Sequence, residues 1–342
     1  FRRVLFRSIH HSASYPGEFG FPSTCLPVNP VFHKITMGSS PRVLSIQSHV
    51  VHGYCGNRSA VFPLQLLGFE VDYINSVQFS NHTGYKYWKG QVLNEEELEE
   101  LMQGLELNNL DHYTHLLSGY VSSESFLNKM SQIFAKLKEK NPELIYVCDP
   151  VLGDDNKFYV PKSLLPIYSN CILPLADIIT PNQFELEVLS GIPVKSFSDL
   201  MSAMQILHKK GPKIIVVSSS NISEDGFPSE SLVSYASTCS GGQSAKCFQL
   251  SMPYVPAKFI GTGDLFASLF LAWMFRTGND VKLALENTVN SIQSVIKNTM
   301  ASLTGKQLTP ENLELRLIQS KKDIENPVAL LQSKAVGWNR ND

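Results

Sequence analysis

From Arg42 onward, apolar runs of strand length alternate with longer segments in which apolar residues recur every three or four positions. The run "RVLSIQS" predicts a strand, Asn57 to Leu67 a helix that Pro63 should kink, and "FEVDYINS" a second strand. Asn94, with Glu97 three positions on, makes a capping-box start for a helix over "EEELEELMQGL". "THLLSGY" reads as a strand, and after it Phe126, Leu127, Met130, Ile133, Phe134 and Leu137 fall on one stripe of an amphipathic helix. "LIYVCDPV", "ADIITPN" and "KIIVVSSS" are short, β-branched and apolar on both faces, as strands of a helix-covered parallel sheet must be. Between Leu232 and Met252, strand-like pieces follow one another around the turn-prone "CSGGQS", which predicts an antiparallel edge. Two long helices, Asp264 to Thr277 and Val281 to roughly Leu303, close the pattern.

This alternation predicts an α/β fold with a doubly wound, mostly parallel central sheet, helices on both faces and antiparallel edge strands. Neither an internal repeat nor a linker rich in Pro, Gly or Ser divides it, so residues 41–342 read as a single domain. The first 40 residues differ: they show no helical or strand period, and Glu18 is the one acid before Met37. An organellar transit peptide has that composition. "RVLFRS" looks instead like translated adapter or vector sequence, and Met37 is the better natural start, so residues 1–40 are read as a disordered, artefactual or transit segment and the protein as cytoplasmic, organellar only if residues 1–36 are a genuine transit peptide.

Composition narrows the function. A formal net charge of −2, with no basic stripe interleaved with aromatics, argues against nucleic acid as a partner. The longest predominantly apolar stretch, Leu265 to Phe275, falls short of the ~20 residues a bilayer crossing needs. Six cysteines lie scattered without a CxxC pair, the pattern of free thiols in a reducing compartment.

The chemistry gathers at strand ends, where doubly wound folds bind ligands. "SIQS" leads to His49 and Gly53, "CDPVLGD" supplies Asp149 and Asp154, "ITPNQFE" supplies Thr180, Asn182 and Glu185, and "VVSSS" ends in Ser219 and Ser220. To these the stretch "IGTGDLFASLFLAWMF" adds two glycines, a threonine and an aspartate directly before a helix apolar on nearly every face. A helix start carries unpaired N–H groups and the positive end of the dipole, which suits an anion, and Gly261 and Gly263 keep it open. No GxxxxGK[ST] loop, early GxGxxG, HExxH or GxSxG is present, which removes P-loop, dinucleotide, zinc-hydrolase and serine-triad chemistry. Phosphoryl transfer remains: Asp264 would take a proton from an alcohol while the Gly261–Gly263 backbone, with Thr262 between, receives the moving phosphoryl.

GTGD before an apolar helix, with NxxE (Asn182 to Glu185) upstream, resembles the ribokinase-like small-molecule kinases. Within them, "RVLSIQSHVVHGYCGN", "NSVQFSNHTGY", "YVCDPVLGD", "ADIITPNQFE" and "FIGTGDLFA" are similar to the pyridoxal kinases, and the similarity covers the chain from about Arg42 to "LELRLIQSKKDIENP". The resemblance implies ATP-dependent phosphorylation of the hydroxymethyl group of pyridoxal, pyridoxine and pyridoxamine, as in vitamin B6 salvage, by a homodimer. It implies that Ser48 and Thr83 hydrogen-bond the substrate ring substituents, with Tyr120 near the ring and Asp264 as the base. Asp149 and Asp154 would sit by the ATP phosphates and their cations, with Asn182 and Glu185 orienting Mg²⁺, or another divalent such as Zn²⁺, and its waters. Thr180 and Ser219 would help hold a monovalent cation, K⁺ or Na⁺. Ser220 would contact the nucleotide, Val255 and Ala257 would flank the adenine, and Thr262 and Gly263 would touch the phosphates. The chain departs from the animal members in a shorter flap, "DNKF" before Tyr159, and in Pro256, where an aspartate is common. Hydroxymethylpyrimidine kinases, which share GTGD and the fold, are the alternative within the class, and a non-catalytic vitamer-binding protein is the alternative outside it. Cys55, His112, His115 and His208 are read as structural, the run Glu95 to Glu100 as a solvated helix face, and His49 and His82 as either site or structural residues.

Overall fold

The computed structural model describes residues 40–224, 231–239 and 246–337. The leader, and most of the predicted turn after Cys239, lie outside them. Along the chain come strand β1 (Arg42–Val50), helix α1 (Asn57–Leu66), strands β2 (Glu70–Phe79) and β3 (Gly90–Val92), and helix α2 (Glu95–Leu107). Strand β4 (His115–Ser118), helix α3 (Glu124–Lys140) and strand β5 (Ile145–Cys148) follow. A small hairpin, β6 (Gly153–Asp154) and β7 (Lys157–Phe158), leads to the short helix α4 (Leu164–Ile167), which continues into a π-helical turn. Next come β8 (Ile178–Ile179), α5 (Gln183–Ser190), α6 (Phe197–Lys209), β9 (Ile214–Ser220), β10 (Ser231–Thr238) and β11 (Lys246–Pro253). Helices α7 (Thr262–Arg276), α8 (Val281–Ala301) and α9 (Lys321–Glu325) and strand β12 (Lys334–Val336) complete the described residues.

Ten strands form one sheet in the order β12-β11-β10-β9-β8-β5-β4-β1-β2-β3. The block from β9 through β8, β5, β4 and β1 to β2 is parallel, while β10, β11, β12 and β3 pair antiparallel at the two edges. That is the predicted architecture. Successive strand residues point to opposite faces, and the core divides accordingly. Leu44, Ile46, Leu116, Tyr146 and Cys148 face the layer of α2, α3, α5 and α6. Val43, Leu117, Val147 and Val216 face α1, α7 and α8. The apolar-all-round character of α7 has its explanation here, since every residue from Asp264 to Met274 is buried.

Differences from the sequence reading are local. Helix α1 runs through Pro63, which lies inside it, without ending there. The strand read from "ADIITPN" shrinks to two residues, Ile178–Ile179, although the Asp177 backbone still bonds both neighbouring strands and its carboxylate binds Lys138 and the Tyr146 amide. The run Glu95 to Glu100 is more than a solvated face, as Glu97 completes the capping box and Glu99 pairs with Lys129 of α3. Among the described residues no helix is long and apolar enough to cross a membrane.

Candidate active site

The sheet register sets the site. Cys148 pairs with Ile179 across β5 and β8, so the next residues, Asp149 and Thr180, stand side by side just past the carboxyl ends of those strands. Thr180 donates its hydroxyl to Asp149 Oδ1 at 3.3 Å, and its amide donates to the Cys148 carbonyl. Three other predicted residues leave neighbouring strands at the same end: Ser48 in β1, Tyr120 after β4 and Ser219 in β9.

Helix α7 starts against this row. Gly261 is its N-cap, in a left-handed conformation (φ 83°), and no side chain caps the helix. A Cβ at Gly261 would stand 2.1 Å from the Tyr54 carbonyl oxygen, so glycine is required both by the backbone angle and by the close approach. Ser59 of α1 donates to the Gly261 carbonyl at 2.8 Å, which fixes the turn from behind. At Gly263 a Cβ would meet only Asp149 Oδ2, at 3.7 Å, so that face of the helix start opens toward the carboxylate row.

Asp264 lies buried in the first turn of α7, and its Oδ2 accepts the Gly56 amide at 2.7 Å. Burial raises its pKa, against the pull of the Gly56 N–H and the Cys55 thiol, both of which favour the carboxylate. Asp149 is held well above the usual carboxylate range, first by burial and then by the negative charges of Glu185 and Asp264. Glu185 is pushed up to about 8, again chiefly by burial. Asp149 is thus buried within range of the charge of two other buried acids, Glu185 and Asp264, an arrangement that a bound cation relieves. No group of three or more His, Cys, Asp or Glu among the described residues closes into a metal cage of its own. Such a set fits an ion that arrives with most of its ligands, as Mg²⁺ on nucleotide phosphates does.

The NxxE motif folds as a capping box on α5. Asn182 accepts from the Glu185 amide, and Glu185 Oε2 accepts from the Asn182 amide, both at 2.9 Å. The same two side chains also reach across to the β6–β7 hairpin. Glu185 Oε1 accepts from the Leu152 amide at 2.9 Å and the Gly153 amide at 3.4 Å, and Asn182 Nδ2 donates to the Gly153 carbonyl at 2.8 Å. Both Glu185 oxygens are therefore committed to backbone. Asp154 sits on this hairpin with its carboxylate on the Asp155 amide, close enough to Lys258 to feel its charge.

The remaining predicted residues are placed unevenly. Ser48 is buried beside Cys55, with Oγ 3.8 Å from Sγ. The Tyr120 hydroxyl is raised in pKa by burial and feels Cys55 as well. Thr83 is exposed at the tip of its loop. Ser220 uses its hydroxyl inside the protein, donating to Gln183 at 2.8 Å and accepting from the Ile222 amide. Val255 and Ala257 form a tight turn between β11 and α7, closed by a 2.7 Å bond from the Ala257 amide to the Val255 carbonyl. His208 and His115 are structural, as expected: His208 bonds Pro212 and Ser237, and burial drives His115 down to about 4.

Sequence reasoning missed Glu314. It lies on the segment joining α8 to α9, and its buried carboxylate binds Tyr54, Tyr85 and His82 in the site loops. Burial pulls its pKa up, but the contacts from His82, the Tyr54 amide and Tyr85 outweigh that and hold it below the usual range.

Comparison with known proteins bears on the same region. The family model described as phosphomethylpyrimidine kinase matches residues 119–310. A pyridoxal kinase of Ovis aries is 48% identical over 306 residues, covering 85% of this chain and 97% of its own. One from Arabidopsis thaliana is 45% identical over 307 residues, covering 89% of this chain and 98% of its own. The structure of pyridoxal kinase from Leishmania donovani in complex with ADP and pyridoxamine superposes with a TM-score of 0.80 at 32% identity, covering 86% of this chain and 99% of that one. The family model and the relatives name different substrates, a phosphomethylpyrimidine and pyridoxal, and the relatives, matched almost end to end, are the more specific guide.

Proposed function

The chain belongs to the pyridoxal kinases, enzymes that phosphorylate B6 vitamers with ATP, and from that premise we propose that Asp264 is its general base and the start of α7 its anion hole. The observation that carries this reading is a buried carboxylate of raised pKa, held by the Gly56 amide in the first turn of a helix that no side chain caps. In the transfer, the hydroxymethyl O–H bond breaks and its proton passes to Asp264. The freed oxygen bonds to the γ-phosphorus as the bond from phosphorus to the β–γ bridging oxygen breaks, and ADP leaves. The backbone N–H groups of Gly261 to Gly263 receive the charge on the moving phosphoryl. A base of raised pKa takes a proton more readily once it is ionised, and the Gly56 N–H and the Cys55 thiol favour that ionised form.

Asp149, with Asp154 on the hairpin, would hold a divalent cation on the phosphates, and Thr180 and Ser219 would help hold a monovalent one. The divalent ion would supply charge neutralisation along the phosphates. Glu185 and Asn182 act behind that position, fixing the backbone from Leu152 to Gly153 against α5. Ser48, Tyr120 and Thr83 then belong to the vitamer side, and the Val255–Ala257 turn to the adenine side.

The reading is tested by ADP release dependent on pyridoxal, pyridoxine or pyridoxamine, measured with hydroxymethylpyrimidine as the competing alcohol. Hydroxymethylpyrimidine is the second reading, since the family model is described by the phosphomethyl form of such a pyrimidine. Turnover of the pyrimidine above that of every vitamer would reverse the order of the two.

A further inference from the structure

Glu314 lies beyond residue 310, where the family-model match ends, on the segment joining α8 to α9. Its Oε2 accepts the Tyr54 amide at 2.9 Å. The Tyr85 hydroxyl donates to Oε1 at 3.0 Å, and His82 Nε2 lies 3.4 Å from the same oxygen. Gly53, at φ 89°, leaves the space the carboxylate fills: a Cβ there would stand 2.1 Å from Oε1. One carboxylate therefore joins two loops that lie 260 and 229 positions from it in the sequence.

Each loop continues directly into the site. From Tyr54, the carbonyl packs on Gly261, and two residues on, the Gly56 amide grips Asp264. From His82, Nδ1 accepts the Gly84 amide at 3.1 Å, which leaves Nε2 as the N–H facing Glu314. A Cβ at Gly84 would come within 3.9 Å of the Ile260 side chain, so this loop lies beside the approach to α7, with Thr83 exposed between His82 and Gly84. None of these contacts reaches the Asp149–Glu185 side or the hairpin, where the nucleotide reading falls.

We propose that Glu314 is a positioning residue for the vitamer: it ties the 53–56 loop to the 82–85 loop and so sets the opening through which the alcohol reaches Asp264. This rests on the reading of Asp264 as the base. Glu314 works through the two loops and touches neither substrate. An amide in its place keeps one acceptor for the Tyr54 N–H but turns an NH₂ toward the His82 N–H, which releases the 82–85 loop. Loss of the vitamer side alone appears as a change in one Michaelis constant, not both.

The test is steady-state kinetics of Glu314→Gln and Tyr85→Phe, with KM for pyridoxal and for ATP measured separately and Tm recorded alongside. Glu314→Gln should raise KM for pyridoxal by about tenfold, the equivalent of one charge-assisted hydrogen bond, with KM for ATP unchanged. Tyr85→Phe, which deletes one hydroxyl, should raise the same constant by a smaller factor. If Glu314→Gln fails to fold, Tyr85→Phe carries the test alone. Equal rises in both Michaelis constants, or a lowered Tm with both constants at parent values, would show that Glu314 serves the fold only. Asp264→Asn separates the two readings: normal turnover in that variant overturns the base assignment, whereas the pyridoxal-specific KM change tests Glu314 independently.

Discussion

The amide of Gly56 donates to Asp264 Oδ2 at 2.7 Å across 208 positions of sequence. Gly56 is the N-cap of α1 and Asp264 stands in the first turn of α7, so two helix starts meet on one carboxylate. Replacement by Asn keeps the shape and an acceptor for Gly56 while removing the proton acceptor. Asp264→Asn should therefore lower kcat by about 10²- to 10⁴-fold, the usual contribution of base catalysis. ATP affinity should be unchanged or tighter, because a negative charge has left the neighbourhood of the phosphates, and Tm should hold. Turnover within a few-fold of the parent would reduce Asp264 to a helix cap.

The two glycines of GTGD are expected to separate. Gly261→Ala must place a Cβ 2.1 Å from the Tyr54 carbonyl at a φ of 83°, so Tm and activity should fall together. Gly263→Ala meets nothing closer than 3.7 Å and sits inside a helix, where alanine is favoured. Its Tm should stay level or rise, with turnover reduced only by the methyl group facing the phosphoryl. Thermal melts paired with initial rates distinguish the two, and identical losses would contradict the geometry.

Asn182 does two jobs with two atoms. Asn182→Asp keeps the oxygen that caps α5 but loses the Nδ2 donor to the Gly153 carbonyl. The helix start should hold, as Asp caps as well as Asn, while Tm should fall modestly because the second Asp oxygen now faces the Gly153 carbonyl. If the β6–β7 hairpin closes over nucleotide, KM for ATP should rise while KM for pyridoxal stays, the opposite split from that expected of Glu314→Gln. An unchanged KM for ATP would detach the hairpin from nucleotide binding.

Glu185 gives the protein a pH dependence whose sign follows from its shift. An acid ordinarily near 4.5 and raised to about 8 keeps its proton in the folded state while the unfolded chain gives it up. Below 4.5 both states are protonated, so the group has no effect on the slope; between 4.5 and 8 stability falls as pH rises, and above 8 the loss is complete. The Tm of the ligand-free protein should drop across that window, and Glu185→Gln should flatten the drop. Magnesium with ADP, by relieving the buried negative charge, should raise Tm more at about pH 8 than at about pH 6. A gain independent of pH would mean that the acids of the row are already compensated.

Much of this was legible in the chain because the parts are local. The buried row Leu265 to Met274 announces α7 by composition, and "GTGD" marks its start within four residues. Asp149 and Thr180 were findable as polar residues ending apolar runs, and the register of β5 on β8 then places them together. Helix α6 carries a readable stripe in Leu200, Met201, Met204 and Leu207 that the strand-centred reading passed over. Strands β3 and β12 are three residues each and largely exposed, so no apolar period exists to announce them. Glu314 was out of reach for a different reason. Its partners are 229 and 260 positions away, and in "LELRLIQ" it is a single acid in an ordinary-looking stretch.

The pairing of Cys148 with Ile179 also bears on which changes of length the chain can absorb. Side chains alternate faces along a strand, so deleting one residue from β5 would carry Asp149 back into the ladder and turn its carboxylate toward one of the apolar layers. The six-stranded parallel block is in this sense a ruler, and the acids are marks at its end. The β6–β7 turn, where Asp155 and Asn156 both take left-handed angles outside the large sheet, is free of that constraint. Insertions and deletions among relatives should accumulate there, changing the size of the flap while leaving the spacing of the carboxylates untouched.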